Sequence, residues 1–287
     1  MINFLKYRFL SLIASGLFIT AGAAGYMYYG GFRYSVDFTG GTQVLFKFNK
    51  PAGSEHIKNV LSSGGWEDVV VREFGDSEVA VRVQGFSGDA QGLAQKLQHS
   101  LEKGLDSSAE IQEVNAVGPG VGESLRWNAL FALLLGLVLM LFYIAIRFWS
   151  FSYGMGAVVA ILHDALMILA LFAILKKEIS PIVICAILAT LGYSINDTIV
   201  IFARIRENFG KMNGESAEEI VNVSINQTLR RTLLTSLSTG LVVGSIYIFG
   251  GEALHTWALA MLVGIVVGTY SSVYIASPIM LSLRRSE

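Results

Sequence analysis

Two aspartates stand inside runs that are otherwise apolar enough for hydrocarbon. Asp164 follows His163 in Ala160-Ile-Leu-His-Asp-Ala-Leu166, and Asp197 follows Asn196 in Gly192-Tyr-Ser-Ile-Asn-Asp-Thr198. An ionisable side chain at the bilayer centre costs about 2.5–3.5 kcal/mol on insertion scales, so each marks a functional hypothesis. Out of water, a carboxyl without a partner is favoured in its neutral form, and gaining or losing that proton is work a proton gradient can drive. Hydroxyls recur beside the aspartates at helical spacing. Thr190, Ser194 and Asp197 fall at i, i+4 and i+7, and Thr232, Thr235, Ser236 and Thr239 at i, i+3, i+4 and i+7. Each set shares one helical face. Together with Asp164 they give three neighbouring spans a polar stripe, and meeting stripes would line a hydrated path. The plainer role for such hydroxyls is to bond their own backbone or to join helices. Asp164 is the expected proton carrier. His163 either faces a partner of Asp164 or packs, while Asp197 is either a second proton-coupling group or, with Asn196, shapes the path or holds helices beside it.

The elements that must position these groups are membrane helices. Of 287 residues, 53% are hydrophobic and only 15% charged, a composition of multi-span membrane proteins rather than soluble domains. A net charge of −1 says nothing about partners, and with no basic stripe or recognisable motif no nucleic-acid partner is expected. The single cysteine, Cys185, lies in an apolar run, so neither a disulfide framework nor a metal cluster is expected. No cofactor is called for beyond a proton gradient. Six apolar runs long enough to cross a bilayer fall near residues 9–29, 127–146, 153–175, 181–203, 232–249 and 256–281. The first is long for a signal peptide and lacks a processing site, so it reads as an uncleaved span. Span six carries Gly264 and Gly268 as a GxxxG pair that permits close helix approach.

Positive charge in short loops sets the orientation. Lys6, Arg8, Arg147, Arg204, Arg206, Lys211, Arg230, Arg231, Arg284 and Arg285 gather on one side, against Lys176 and Lys177 on the other. Both termini, the loop of about 204–231 and the tail 284–287 are therefore expected in the cytoplasm. Asp164, about eleven residues from that side, lies roughly 16 Å deep at 1.5 Å per residue. Span four runs the other way and brings Asp197 nearer the cytoplasm. Arg204 and Arg206 stand at the membrane edge, where they snorkel and fix topology.

Between the first span, within 1–30, and the bundle of 126–283, residues 31–125 regain charge and lose long apolar runs. Strands are expected at Tyr34–Phe38, Thr42–Phe48, Trp66–Phe74, Glu78–Val83 and Glu110–Val117, with helices at Gly53–Ser63 and Gly88–Gly104. The β-α-β-β-α-β order predicts a ferredoxin-like α+β domain outside the membrane. The fold class is thus an α-helical membrane protein of six spans, one plus five, with that extracytoplasmic domain. His56 and His99 lie on its helices as solvated residues, and no cluster there looks catalytic. Two aspartates on adjacent spans would also suit an intramembrane aspartyl protease. Neither sits in a Gly-x-Gly-Asp motif and their depths differ, so no enzymatic activity is expected.

Several stretches together resemble the SecD/SecF family of bacterial protein-export membrane proteins. Val36-Asp-Phe-Thr-Gly-Gly-Thr42, with Asp37, Gly40 and Gly41, is similar to its Asp-Phe-Thr-Gly-Gly signature, and Val117-Gly-Pro-Gly-Val-Gly122, with Gly118 and Pro119, to its Val-Gly-Pro element. Tyr153-Gly-Met-Gly-Ala157 with His163-Asp164 resembles the family's His-Asp helix. Gly192-Tyr-Ser-Ile-Asn-Asp-Thr198 followed by Arg204-Ile-Arg206-Glu-Asn208 is the most specific match. The resemblance covers nearly the whole chain. One position departs from it: Ala203 stands where the family has Asp, so any pairing made there is not carried over. The resemblance implies an RND-like half-transporter in the bacterial cytoplasmic (inner) membrane. It would work beside SecD and the SecYEG channel, coupling proton movement to motion of the outside domains that draws preproteins outward. Six spans and one outside domain look like half of a pseudo-symmetric pair, which SecD would complete.

Overall fold

The computed structural model of the chain describes residues 2–49, 53–66, 69–74, 77–83, 89–105, 107–212 and 214–284. Residues 67–68 of one expected strand, Gly88 at an expected helix start, and 285–287 of the tail with Arg285 lie outside the described residues. The chain divides into two units, Tyr34–Leu130 and Met1–Arg33 with Phe131–Glu287.

In the smaller unit, β2 (Gly41–Phe48) is central. It follows a two-residue strand, β1 (Arg33–Tyr34), and a short helix, α2 (Val36–Thr39). The order then runs α3 (Ser54–Ser63), β3 (Val69–Phe74), β4 (Glu78–Val83), α4 (Ala90–Leu105) and β5 (Ala109–Val117). The four longer strands form one antiparallel sheet in the order β3-β4-β2-β5. Period-two alternation sends Val44, Phe46 and Phe48 inward, with Val79 and Val81 opposite them on β4. Ile57 and Leu61 of α3 and Ala94, Leu97 and Leu101 of α4 close over that face. A bulge between Leu45 and Phe46 shifts the register with β5. Of the expected strand Tyr34–Phe38 only Tyr34, in β1, is extended as a strand, and Val36–Phe38 belong to α2. Phe38 and Thr39 donate backbone bonds to the Ser35 carbonyl and Gly40 to that of Val36, and the turn leaves through Gly40 and Gly41 at φ 71° and 120°. A local helical turn thus satisfies backbone groups that a strand would have paired. His56 and His99 are exposed.

Among the described residues, six helices are long and apolar enough to cross a membrane. They are α1 (Arg8–Tyr28), α5 (Pro119–Phe148), α6 (Phe151–Ile174), α7 (Pro181–Lys211) and α8 (Ala217–Phe249). The sixth is composite: α9 (Gly251–Ser271), a π-helical stretch at Ser272–Ala276 and α10 (Ser277–Arg284). Strand β6 (Glu178–Ile179) lies between α6 and α7. Half or more of the apolar window is buried in α6, α7 and the sixth helix, against 6% in α5 and 11% in α8. The first three therefore form the middle of the bundle.

Apolar stretches underestimate these helices. α5 starts at Pro119, ahead of its apolar run, and the supposed loop 204–231 is helical through Lys211 and again from Ala217. Hydropathy ends where charge begins, but the hydrogen-bond ladder does not. Asn208 bonds Ser224 at 2.8 Å and Gln227 at 2.9 Å, Ser216 caps α8 by accepting from Glu219 N at 3.2 Å, and Arg8 pairs with Glu218 at 3.0 Å. These polar contacts hold the extensions together in place of lipid.

Candidate proton site

Asp164 is the fourteenth of the 24 residues of α6 and is fully buried. Every face of its carboxyl meets a polar group. Oδ2 accepts from Ser194 Oγ on α7 at 2.5 Å and from Ser271 Oγ on α9 at 2.9 Å. Oδ1 lies 3.1 Å from His163 Nδ1, and the other ring nitrogen of His163 lies 2.9 Å from Ser15 Oγ on α1. Ser15 in turn is 3.1 Å from Tyr270 Oη, which donates to the Ser11 carbonyl at 2.7 Å. Four helices thus converge on one carboxyl, which offsets the cost of burying it.

Small residues allow this convergence. A Cβ at Gly268 would come within 2.7 Å of Ser194 Cβ, and one at Gly264 within 1.9 Å of Thr190 Cγ2. Only bare backbone lets α9 lie close enough to α7 for Ser194 and Ser271 to reach the same oxygen. Just beyond Ser271 the ladder widens to the π spacing at Ser272–Ala276, where Ser277 Oγ donates to the Ser272 carbonyl at 2.9 Å. Ser272 Oγ meets Thr198 Oγ1 at 2.8 Å. Such local widening recurs at functional positions in helices.

Asp197 is also buried, at 3% exposure, one turn along α7 from Ser194. Its one described hydrogen bond is from Ser236 Oγ of α8 at 3.5 Å, the long limit for such a contact. Ser236 meets Thr269 Oγ1 at the shorter distance of 2.7 Å. Three residues separate Ser194 from Asp197, about 4.5 Å along the axis, and no hydrogen bond joins the two carboxyls.

The structure sorts the expected residues. His163, Asp164 and Ser194 come together, and Asp197 joins Ser236. Asn196 is exposed, pointing away from all of them. Thr190 is buried and donates to its own helix at the Ala186 carbonyl, 2.7 Å away. Thr235 does likewise toward Arg231 and Thr232, Thr232 Oγ1 is buried without a hydrogen-bond partner among the described residues, and Thr239 is half-buried. The stripe of span five therefore does not reach Asp164. Span six does, through Ser271, because Gly264 and Gly268 draw it against α7. Ser15, Tyr270, Ser271 and Ser272 are the residues that spacing alone missed. Their signal was the Thr269-Tyr-Ser-Ser272 cluster in an apolar helix and the i, i+4 pair of Ser11 and Ser15.

The remaining motif residues are structural in their surroundings. Ser35 donates to Asp37 Oδ2 at 2.9 Å, and Arg82 donates to the Tyr34 carbonyl at 3.0 Å and to the Thr39 hydroxyl. Gly122 packs against this turn, its missing Cβ only 2.9 Å from Gly40 N; Gly118 accepts backbone bonds from Val121 and Gly122 at the start of α5. Arg204 binds Gln227 and Glu207, each at 2.6 Å, and Arg206 reaches the Phe148 carbonyl at 3.5 Å. Ala203 is exposed. No group of three or more potential metal ligands occurs among the described residues.

Fold and site define a multi-pass membrane protein built around a buried, fully hydrogen-bonded carboxyl. A sequence model of "Protein export membrane protein SecD/SecF, C-terminal" matches residues 97–286, and one of the "SecD/SecF GG Motif" matches residues 30–52. The protein translocase subunit SecF of Thermodesulfovibrio yellowstonii is 38% identical over 292 residues, covering 100% of this chain and 96% of that protein. Its counterpart in Vibrio alginolyticus is 40% identical over 255 residues, covering 88% and 80%. The crystal structure of SecDF, a translocon-associated membrane protein from Thermus thermophilus, superposes with a TM-score of 0.90 at 35% identity. SecDF in the super-membrane-facing form gives 0.70 at 34%. In both, 99% of this chain is covered but only 39% of the SecDF chain. The chain belongs to the SecD/SecF family.

Proposed function

We propose that the chain is an accessory subunit of the Sec protein translocase, using the proton gradient to promote preprotein export together with SecD and the SecYEG channel. The observation that carries this reading is the Asp164 site. A carboxyl buried among four helices changes its hydrogen bonding when it gains a proton. As a carboxylate it accepts from both Ser194 and Ser271; once protonated at Oδ2 it must donate to one of them, and that hydroxyl must turn. The two serines sit on α7 and α9, and the π-helical stretch beside Ser271 gives α9 a place to adjust. Asp197, one turn away with only a long contact, is the neighbouring station on the path. In this reading the chain lies in the bacterial cytoplasmic (inner) membrane with both termini in the cytoplasm. The β-α-β-β-α-β order and antiparallel sheet of the smaller unit support a ferredoxin-like domain on the outer side. No bond of the preprotein is made or broken, so the chain is no enzyme. Likeness to 39% of a SecDF chain supports SecD as the other half.

Inverted membrane vesicles test this. Asp164→Asn, which keeps the shape but holds no titratable proton, should abolish gradient-driven export while membrane insertion and complex assembly persist. Unchanged export would overturn the reading. The apolar outer faces of α5 and α8 favour one alternative, a scaffold that stabilises SecD and the channel without moving protons. Equal proton flux in Asp164→Asn with lost complex formation would select it.

A further inference from the structure

The side of Asp164 that faces α1 carries information of its own, because each hydroxyl has a single hydrogen to give. Tyr270 gives its hydrogen to the Ser11 carbonyl at 2.7 Å. Its 3.1 Å contact with Ser15 therefore uses the hydrogen of Ser15. Ser15 must then accept from His163 Nε2, 2.9 Å away, so that nitrogen carries a hydrogen. The 3.1 Å contact between Nδ1 and Asp164 Oδ1 is then a hydrogen bond only if one more proton lies between them, on the ring or on the carboxyl. The chain of contacts is complete only when His163 and Asp164 share one proton in addition to the hydrogen on Nε2, which makes them neutral as a pair.

We propose that Ser15 and Tyr270 are positioning residues that sense this proton and tie helix α1 to it. The inference rests on the reading of Asp164 as a protonatable group. The branch ends on a backbone carbonyl, which accepts a hydrogen bond but does not take up a proton, so it reports and does not conduct. The proton leaves by the Oδ2 side, toward Ser194 and Ser271. Its departure leaves a lone pair on Nδ1 facing a lone pair on Oδ1. Relief comes when the remaining ring proton resides on Nδ1. Nε2 then accepts from Ser15, the Ser15 hydroxyl turns away from Tyr270, and the Tyr270 oxygen loses its donor. No electrons move, and one proton has left the pair. One of the two hydrogen bonds joining α1 to α9 through Tyr270 is lost with it.

The groups facing the pair are Ser15 from α1, Ser194 from α7, and Tyr270 and Ser271 from α9. Asp197 lies one turn beyond Ser194, the tilted ring of Tyr274 lies 5.3 Å from that of Tyr270 between centroids, and Arg284 of α10 is engaged by Tyr153 at the start of α6 and by the ring of Phe209. Among the described residues no lysine or arginine is bonded to His163 or Asp164.

Infrared difference spectroscopy of the full chain in lipid vesicles, followed across pH, tests the proposal, with Asp164→Asn identifying the carboxyl band. Ser15→Ala and Tyr270→Phe should each move the midpoint of that band to lower pH by about half to one unit, the worth of one hydrogen bond. The double variant should move it no further than Ser15→Ala alone, since that change already removes the contact through which Tyr270 acts. Ser15→Thr, which keeps the hydroxyl, should leave it in place. An unmoved midpoint in either single variant, or additive shifts in the double, would overturn the sensor. If export proves independent of the gradient while the band behaves as expected, the export reading falls and the sensor stands. If export needs Asp164 but the band ignores Ser15 and Tyr270, the reverse holds.

Discussion

Asp164 and Asp197 are buried carboxyls one helical turn apart in depth, yet their surroundings are opposite. Asp164 accepts from two serines, abuts a histidine and joins four helices. Asp197 has one contact at 3.5 Å, from a serine that prefers Thr269. The first is a group whose protonation must rearrange its neighbours. The second can gain or lose a proton with little to rearrange, which suits a relay station more than a lever.

The largest expected effect sharpens that contrast. Asp164→Asn should abolish gradient-driven export, while Asp197→Asn should slow it and leave a measurable remainder; export assays on the two variants side by side check this, and the reverse order would break the comparison. Next comes Gly268→Val, which forces a branched side chain onto Ser194. Overpacking of this kind costs about 1–3 kcal/mol, so thermal unfolding of the variant in detergent should begin earlier, and export should fall because α9 can no longer bring Ser271 to Asp164. A smaller effect separates the two serines. Ser271→Ala removes one of two donors to Asp164 and should cost about 1 kcal/mol in unfolding experiments, whereas Ser236→Ala, at the long contact, should be close to neutral. Equal losses would mean that Asp197 is held as firmly as Asp164.

The smallest concerns an exposed carboxylate in the smaller unit. The Ser54 backbone N–H, 2.6 Å from Glu73, holds that carboxyl below its usual range. A lowered folded value means that its stabilisation is present above the unfolded value and fades as pH falls through the folded one. Protection from hydrogen exchange at the start of α3, taken relative to the unstructured rate at each pH, should therefore fall in acid, and Glu73→Gln should remove that dependence. It marks what a solvated carboxylate does, beside two that are not solvated.

Much of this was legible in the residues. The apolar runs located six spans, and Val44, Phe46 and Phe48 announced the inner face of a sheet because strand alternation is a local property. Asp164 stood out because a charge in hydrocarbon is rare. The partners of Asp164 were not legible, because which hydroxyl stripes meet depends on helix neighbours, and spacing within one helix says nothing about them. Span five was expected beside Asp164, and span six is there. Gly264 and Gly268 decide that, and their pattern reveals a close approach without naming the partner. Helix ends were misjudged where hydropathy stood in for hydrogen bonding, as at Arg204–Lys211. Asn196, next to a buried aspartate in sequence, faces the other way because successive helical residues lie about 100° apart.

Proton flux into sealed vesicles carrying the reconstituted complex, driven by an imposed gradient, tests the central claim most directly. Wild-type complex should conduct and Asp164→Asn should fall to the level of empty vesicles, with the complex still assembled. Undiminished flux through an assembled Asp164→Asn complex would contradict the account and return Asp164 to the role of a helix-joining carboxyl.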